Sequence, residues 1–219
     1  INDSGDGPYF YSTNLDGSEP KKIKISKFQP IDVEDLSYGK CGEKNCIFIG
    51  DIGDNFHSRK TIHIIGVEEE NTFSGPVVPV IDLNLRYPDG SYNAEAMALH
   101  PSGDLFIITK IQNNYEESKI FKLSKNLLND KLKNTKKLEF LGTLKLKKIL
   151  KNNRQITGMS ISPDGERFLI LTYETAIEFN INLSSKIDWN SLVLKEGENF
   201  NLIKLDVLKQ QEAITYSYD

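Results

Sequence analysis

The chain carries 219 residues, of which 26% are charged, and its formal net charge is −4. This balance leaves no basic footprint for nucleic acid, and no apolar run approaches the roughly 18 to 20 residues that a membrane span needs. The composition is that of an ordinary globular chain, for which neither a nucleic-acid partner nor a membrane span is expected.

Asn2-Asp3-Ser4-Gly5-Asp6-Gly7 comes first, ahead of a short strand pattern over Pro8 to Ser12. The next feature organises the whole chain. Asp32-Val33-Glu34-Asp35-Leu36-Ser37 returns as Asn93-Ala94-Glu95-Ala96-Met97-Ala98, as Gln155-Ile156-Thr157-Gly158-Met159-Ser160 and as Gln210-Gln211-Glu212-Ala213-Ile214-Thr215, with third residues 61, 62 and 55 apart. A period of this size marks a repeat architecture, in which each unit buries its apolar face against the next.

After the first phrase, Cys41-Gly42-Glu43-Lys44-Asn45-Cys46 forms a short loop leading into Ile47-Phe48-Ile49-Gly50-Asp51. A hairpin brings the ends of such a loop together, so a Cys41–Cys46 disulfide is expected, and with it an oxidising compartment. Free thiols, or half of a metal site, are the alternatives. The second and third phrases lead through His100-Pro101-Ser102-Gly103-Asp104 and Ser162-Pro163-Asp164-Gly165-Glu166 into Leu105 to Lys110 and Phe168 to Tyr173. Pro and Gly in these segments supply the φ values that tight turns need.

Third strands are predicted over Thr61 to Val67, Lys119 to Leu123 and Ala176 to Ile181, and fourth strands over Val77 to Leu85, Glu139 to Leu144 and Leu202 to Val207. The Lys-rich stretch Lys131 to Lys151 reads as a solvated outer strand and long connections. Four short antiparallel strands per repeat predict an all-β chain, a β-propeller of four-stranded antiparallel blades in a single domain. Three blades are complete, with partial pieces at both ends. Gln211 to Tyr218 and Ile1 to Ile25 could close one composite blade, or the native ring could have five or six blades. With neither an initiator Met nor a signal peptide, the expectation is a chain processed or truncated at one or both ends.

Blade geometry puts the start of each first strand and the end of each second strand on one rim. Glu34, Asp35, Asn93, Glu95, Thr157 and Glu212 are therefore expected around one mouth of the channel, with Asp51, Lys110 and Tyr173 just behind them. Asn2 to Gly7 and Gly50-Asp51-Ile52-Gly53-Asp54-Asn55 reach the same rim. Oxygen donors spaced by glycines suit Ca²⁺, and an unneutralised ring of carboxylates would repel itself. Asp3, Glu34, Asp51, Asn93, Glu95 and Glu212 are thus candidate calcium ligands; alternatively these loops are turn formers that need no ion. His57, His63 and His100 are too scattered for a zinc trio or a Ser-His-Asp arrangement. Lys110 and Arg59 read as anion holders or ion-pair partners, and Tyr87 and Tyr92 as ligand flanks or loop packing.

At Asn2 to Gly7, Asp32 to Leu36, Gly50 to Asn55, Asn93 to Ala98 and Ser162 to Gly165, the chain resembles a widespread set of mostly uncharacterised secreted or periplasmic β-propeller proteins. Their phrases look like NDSGD, EDLA, GDIGDN, NAEA and SPDG. More distantly, the glutamate opening each inner strand is similar to that of calcium-dependent propellers such as β-propeller phytases and lactonase-type hydrolases. The third blade departs from the pattern, with Thr157 in place of the glutamate.

Two functions follow from this reading. The first is a secreted, extracellular or periplasmic monomer that binds a small anionic ligand, or a protein or glycan partner, at an acidic and calcium-occupied channel mouth without catalysis. The second is a calcium-dependent phosphatase-, lactonase- or esterase-like hydrolase, with Glu34, Glu95 and Lys110 as candidate catalytic groups.

Overall fold

A computed structural model describes residues 5–111, 117–130, 132, 134–206, 208 and 210–217. Strands β1 (Tyr9–Ser12) and β2 (Lys21–Lys24) form a two-stranded antiparallel sheet. The first complete blade follows as β3 (Asp35–Cys41), β4 (Lys44–Asp51), β5 (Ile62–Glu68) and β6 (Ile81–Arg86), each antiparallel to the one before. The second is β7 (Ala94–Leu99), β8 (Leu105–Thr109) and β9 (Ser118–Leu123), completed by β11 (Glu139–Leu144) after a detour through β10 (Lys136–Lys137). The third is β12 (Ile156–Ile161), β13 (Phe168–Thr172), β14 (Thr175–Phe179) and β15 (Phe200–Lys204). The chain is a β-propeller of four-stranded antiparallel blades, as the repeat predicts. Cys41 and Cys46 form a disulfide across the turn of the first hairpin, their Cα atoms 5.7 Å apart.

Alternation along the second strands explains how blades stack. Phe48 faces the second blade and joins Met97, Leu105, Ile107 and Phe121, whereas its neighbours Ile47 and Ile49 face the other way, toward Phe10, Ile23 and Ile25 of the β1–β2 piece. Phe106 and Ile108 in turn meet Met159, Phe168, Ile170 and Ile177 of the third blade. A strand sandwiched between two blades must be apolar on both faces, which is why each second strand reads as an unbroken apolar run. The three cores are the interfaces between successive blades.

Two expectations need correction. The Lys-rich stretch is not wholly solvated: β10 leaves its own blade and pairs in parallel with β6, and Lys136 is only 3% exposed. Its ammonium is held by the carboxylate of Asp130 and the side-chain oxygen of Asn134, which is what permits its burial. The segment over residues 210–217, which holds the fourth phrase, forms no ladder strand. It nevertheless lies beside β12 and runs parallel to it, Thr157 meeting Gln211 and Ser160 meeting Tyr216. Successive inner strands follow the same rule: Asp35 meets Met97 and Ser37 meets Leu99, each pair 62 residues apart. The sequence period is therefore the register between neighbouring inner strands. Of the fourth-strand prediction in the third blade, Val207 lies outside the described residues.

Candidate functional site

In the three complete blades the third residue of the phrase reaches the mouth through a local irregularity. In the second blade Ala94 opposes Thr109 and Ala96 opposes Ile108, which leaves Glu95 as an extra residue; in the third, Thr157 is left over between Ile156 and Gly158 in the same way. In the first blade Gly50 faces Asp35 in the ladder and also accepts the N–H of Glu34 (2.9 Å). An extra residue on one strand breaks the pleat and re-aims its side chain, which here means toward the rim.

Most of the predicted rim residues stitch blades together. Asp51, 1% exposed, takes the Arg59 guanidinium (2.8 Å) and the N–H groups of Asp32 (2.8 Å) and Ile31 (3.2 Å). Arg59 also donates to the Gly53 carbonyl (2.7 Å), and Asp54 accepts the N–H groups of Ser58 and Arg59 (both 2.9 Å). The Asp54 N–H crosses to Asn93 Oδ1 in the second blade (2.7 Å), and Asn93 Nδ2 donates to Asn55 Oδ1 (3.2 Å). The Asn93 carbonyl holds the N–H of Lys110 (2.9 Å), whose ammonium binds Glu95 (2.6 Å) and crosses to the Tyr173 hydroxyl of the third blade (2.9 Å). Gln211 Nε2 reaches the Tyr173 carbonyl (3.3 Å), and the Thr157 hydroxyl donates to the Gln211 carbonyl (2.7 Å). A belt of polar contacts thus runs from the first blade to the fourth phrase. Thr157 departs from the glutamate pattern because it receives this last segment through its hydroxyl.

Burial opposes the Lys110 charge, but Glu95 and the Tyr173 hydroxyl outweigh it and raise the ammonium above its ordinary range. Lys110 is therefore a fixed cation rather than a proton donor at neutral pH. A raised folded pKa contributes stability that is complete below the unfolded value near 10.5 and is lost as pH rises through the folded one. In urea unfolding at pH 8 and pH 11, wild type should lose stability at the higher pH, whereas Lys110→Met should start about 1 to 2 kcal/mol lower and show a flatter alkaline limb.

On the axis, Asp35 gathers the inner strands. Its carboxylate accepts the N–H groups of Leu36 (2.8 Å) in its own strand and Met97 (2.7 Å) in the second blade, and that of Met159 in the third. The equivalent positions are Ala96, Gly158 and Ala213, because one carboxylate fills the axis at this level. Burial pushes its pKa up to about 8, against the lowering effect of the three amide donors.

Beside Asp35 lies a cavity of about 510 Å³, bounded by Glu34 and the Asp35 to Tyr38 stretch of β3, Met159 to Ile161 of β12, Glu212 to Thr215, Ile47 and Leu99. Its walls are apolar except for Ser37, Tyr38, Ser160, Thr215 and three carboxylates, Glu34, Asp35 and Glu212. Next to Glu34, Gly53 permits a close approach: a methyl group there would sit 2.4 Å from an oxygen of both Asp32 and Glu34.

The described candidate calcium ligands divide between interblade contacts and the cavity: Glu34 and Glu212 line the cavity. Asp51 and Glu95 each hold a cationic side chain, both ends of the Asn93 amide are engaged, and Asp3 lies outside the described residues. Among the described residues no group of three or more His, Cys, Asp or Glu could hold a metal ion. Tyr87 and Tyr92 are buried against Phe121 and pack their loop. His63 binds Asp82 (2.7 Å) on the outer strands, and His100 bridges the far-rim turns through Ser102 and the Gly165 carbonyl. Only His57 lies in the rim loop. The axial role of Asp35 had one sequence signal, a lone carboxylate where the other phrases have Ala, Gly and Ala.

No family model matches the chain, and no curated protein matches it. Among solved structures it is similar to a periplasmic gluconolactonase of Pseudomonas aeruginosa, PpgL, at 10% identity and TM-score 0.47, over 80% of this chain and 47% of that one. It is also similar to Kluyveromyces lactis Hsv2 at 13% identity and TM-score 0.35, over 94% of this chain and 69% of that one. The chain thus spans about half the length of the first of these.

Proposed function

We propose that this propeller is a non-catalytic binding module that takes a positively charged group of its partner at the acidic end of the channel cavity. One observation carries the reading: among the described residues, the lining holds the carboxylates Glu34 and Glu212, beside Asp35 whose buried carboxyl is largely protonated at neutral pH, and no Lys, Arg or His. The rim cations Arg59 and Lys110 are already bound to Asp51 and Glu95. An anionic ligand would meet like charge here, whereas a cation is attracted at a site with low-dielectric walls. The disulfide fits work in an oxidising compartment, extracellular or periplasmic.

Titration calorimetry with spermidine and with citrate tests the reading. Saturable spermidine binding is expected, weakened at least about fivefold by Glu34→Gln or Glu212→Gln and screened by salt, because each removes one attractive charge. Citrate binding without spermidine binding overturns it. A second reading, acid–base hydrolysis, is favoured by the close approach of Asp32 and Glu34 over Gly53. It requires turnover in an esterase, lactonase or phosphatase screen that Glu34→Gln abolishes.

A further inference from the structure

Connections from an outer strand to the next inner strand cross the mouth face of the propeller, and one of them stands apart in charge. Residues 145–155, between β11 and β12, carry Lys145, Lys147, Lys148, Lys151 and Arg154 and no Asp or Glu, although the whole chain has 27 Lys and Arg against 31 Asp and Glu. Blade geometry does not demand this, since the equivalent connection over residues 87–93, between β6 and β7, has Asp89 as its only charged residue. The basic turn is anchored from below. Leu146 is fully buried, Ile149 and Leu150 pack against the core between the second and third blades, and the Leu146 carbonyl accepts the N–H groups of Ile149 (2.9 Å) and Leu150 (2.7 Å). The exposed residues of the segment, Lys147, Lys148, Lys151, Asn152 and Asn153, are therefore all polar. Lys147 pairs with Glu117 (3.7 Å) and Lys145 donates to the Asn190 carbonyl (3.2 Å), but among the described residues Lys148, Lys151 and Arg154 make no ion pair. Lys151 and Arg154 share one depression of the rim with the amides of Asn152, Asn153 and Gln155.

We propose that this connection binds an acidic polysaccharide, with Lys148, Lys151 and Arg154 holding its carboxylates and the neighbouring amides its hydroxyls. Clustered cations with no internal counter-charge create a positive potential that draws in a polyanion. Arg adds a planar fork that matches a carboxylate, and the Asn and Gln side chains both donate and accept, as a sugar hydroxyl does. The exposure pattern argues against other partners. A protein interface is built around buried aromatic or apolar anchors, and an interfacial helix sinks apolar side chains among lipid headgroups, whereas here Leu146, Ile149 and Leu150 all turn to the core. The disulfide fits a compartment outside the cytosol, away from nucleic acid. A cation in the channel cavity is neither required nor implied, because the two surfaces share no residue.

Biolayer interferometry of the whole protein on immobilised polygalacturonate tests this, with dextran as the neutral saccharide. Binding to polygalacturonate and not to dextran is expected, weakened by salt and lost at least about tenfold in Lys148→Gln/Lys151→Gln/Arg154→Gln. None of these three side chains is buried, so circular dichroism should show the variant folded. A control with the same change in net charge, Lys21→Gln/Lys24→Gln/Lys204→Gln at exposed positions of β2 and β15, should lose less than about twofold. Equal losses in the two variants overturn the proposal, because net charge alone then accounts for binding. Equal binding to dextran, or none to polygalacturonate, overturns it as well. Tighter binding to a DNA duplex or to phosphatidylserine vesicles than to polygalacturonate overturns the assignment to a saccharide.

Discussion

Arg59→Met should lower the unfolding midpoint by roughly 6 to 12 °C, the largest single-site effect expected on the rim. The guanidinium is the only described cationic partner of Asp51, whose side chain is 1% exposed, and it also satisfies the Gly53 carbonyl. Removing one member of a buried pair leaves the other charge without compensation, which costs about 3 to 5 kcal/mol; the two amides that still donate to Asp51 put the expectation at the lower end. The double variant Asp51→Asn/Arg59→Met should recover at least about half of the loss, because no net charge is then buried. Calorimetric melting of the wild type and the two variants measures this. Equal losses in Arg59→Met and the double variant would show that packing of the Arg stem, not the charge, is what matters.

Asp35→Ala should cost a comparable amount, about 3 kcal/mol, by a different route. Three strand amides would lose their acceptor at the axis, where water reaches them only through the cavity. Formate or acetate in the buffer should restore part of the loss in Asp35→Ala and none in wild type, since a small carboxylate can occupy the vacated acceptor position. The pH dependence has a definite sign. With the folded pKa near 8 and the unfolded one near 4, the folded protein binds the extra proton between those values. The contribution of Asp35 to stability should therefore fall as pH rises from about 4 to 8, read as the wild-type profile minus that of Asp35→Asn. A difference between the wild-type and Asp35→Asn profiles that rises over this range would refute the axial assignment.

The fold was legible because the repeat and the apolar second strands are properties of the backbone pattern. Glu139 to Leu144 matches β11 end to end, and the third strands fall within two residues of their predicted bounds. The rim was legible as a place and illegible as chemistry. Asp51, Asn93 and Glu95 do lie at the channel mouth side of their blades, yet each points at a neighbouring blade's amide or at a cationic side chain. A sequence gives the number of carboxylates on a rim; their direction depends on bulges at Glu95 and Thr157 that arise only when two strands pair. β10 was invisible for a related reason: two lysines form a strand because β6 offers them an edge.

That borrowed strand has a consequence for synthesis. The outer edge of β6 is complete as soon as Arg86 has been made, but its cover, Lys136 and Lys137, arrives only after most of the next blade. Until then the first blade presents a bare row of amides and carbonyls to any passing chain. For the Leu85–Arg86 end of that edge, the interval between these two segments is thus a window of vulnerability to aggregation, which closes when the second blade's outer connection is threaded back over it.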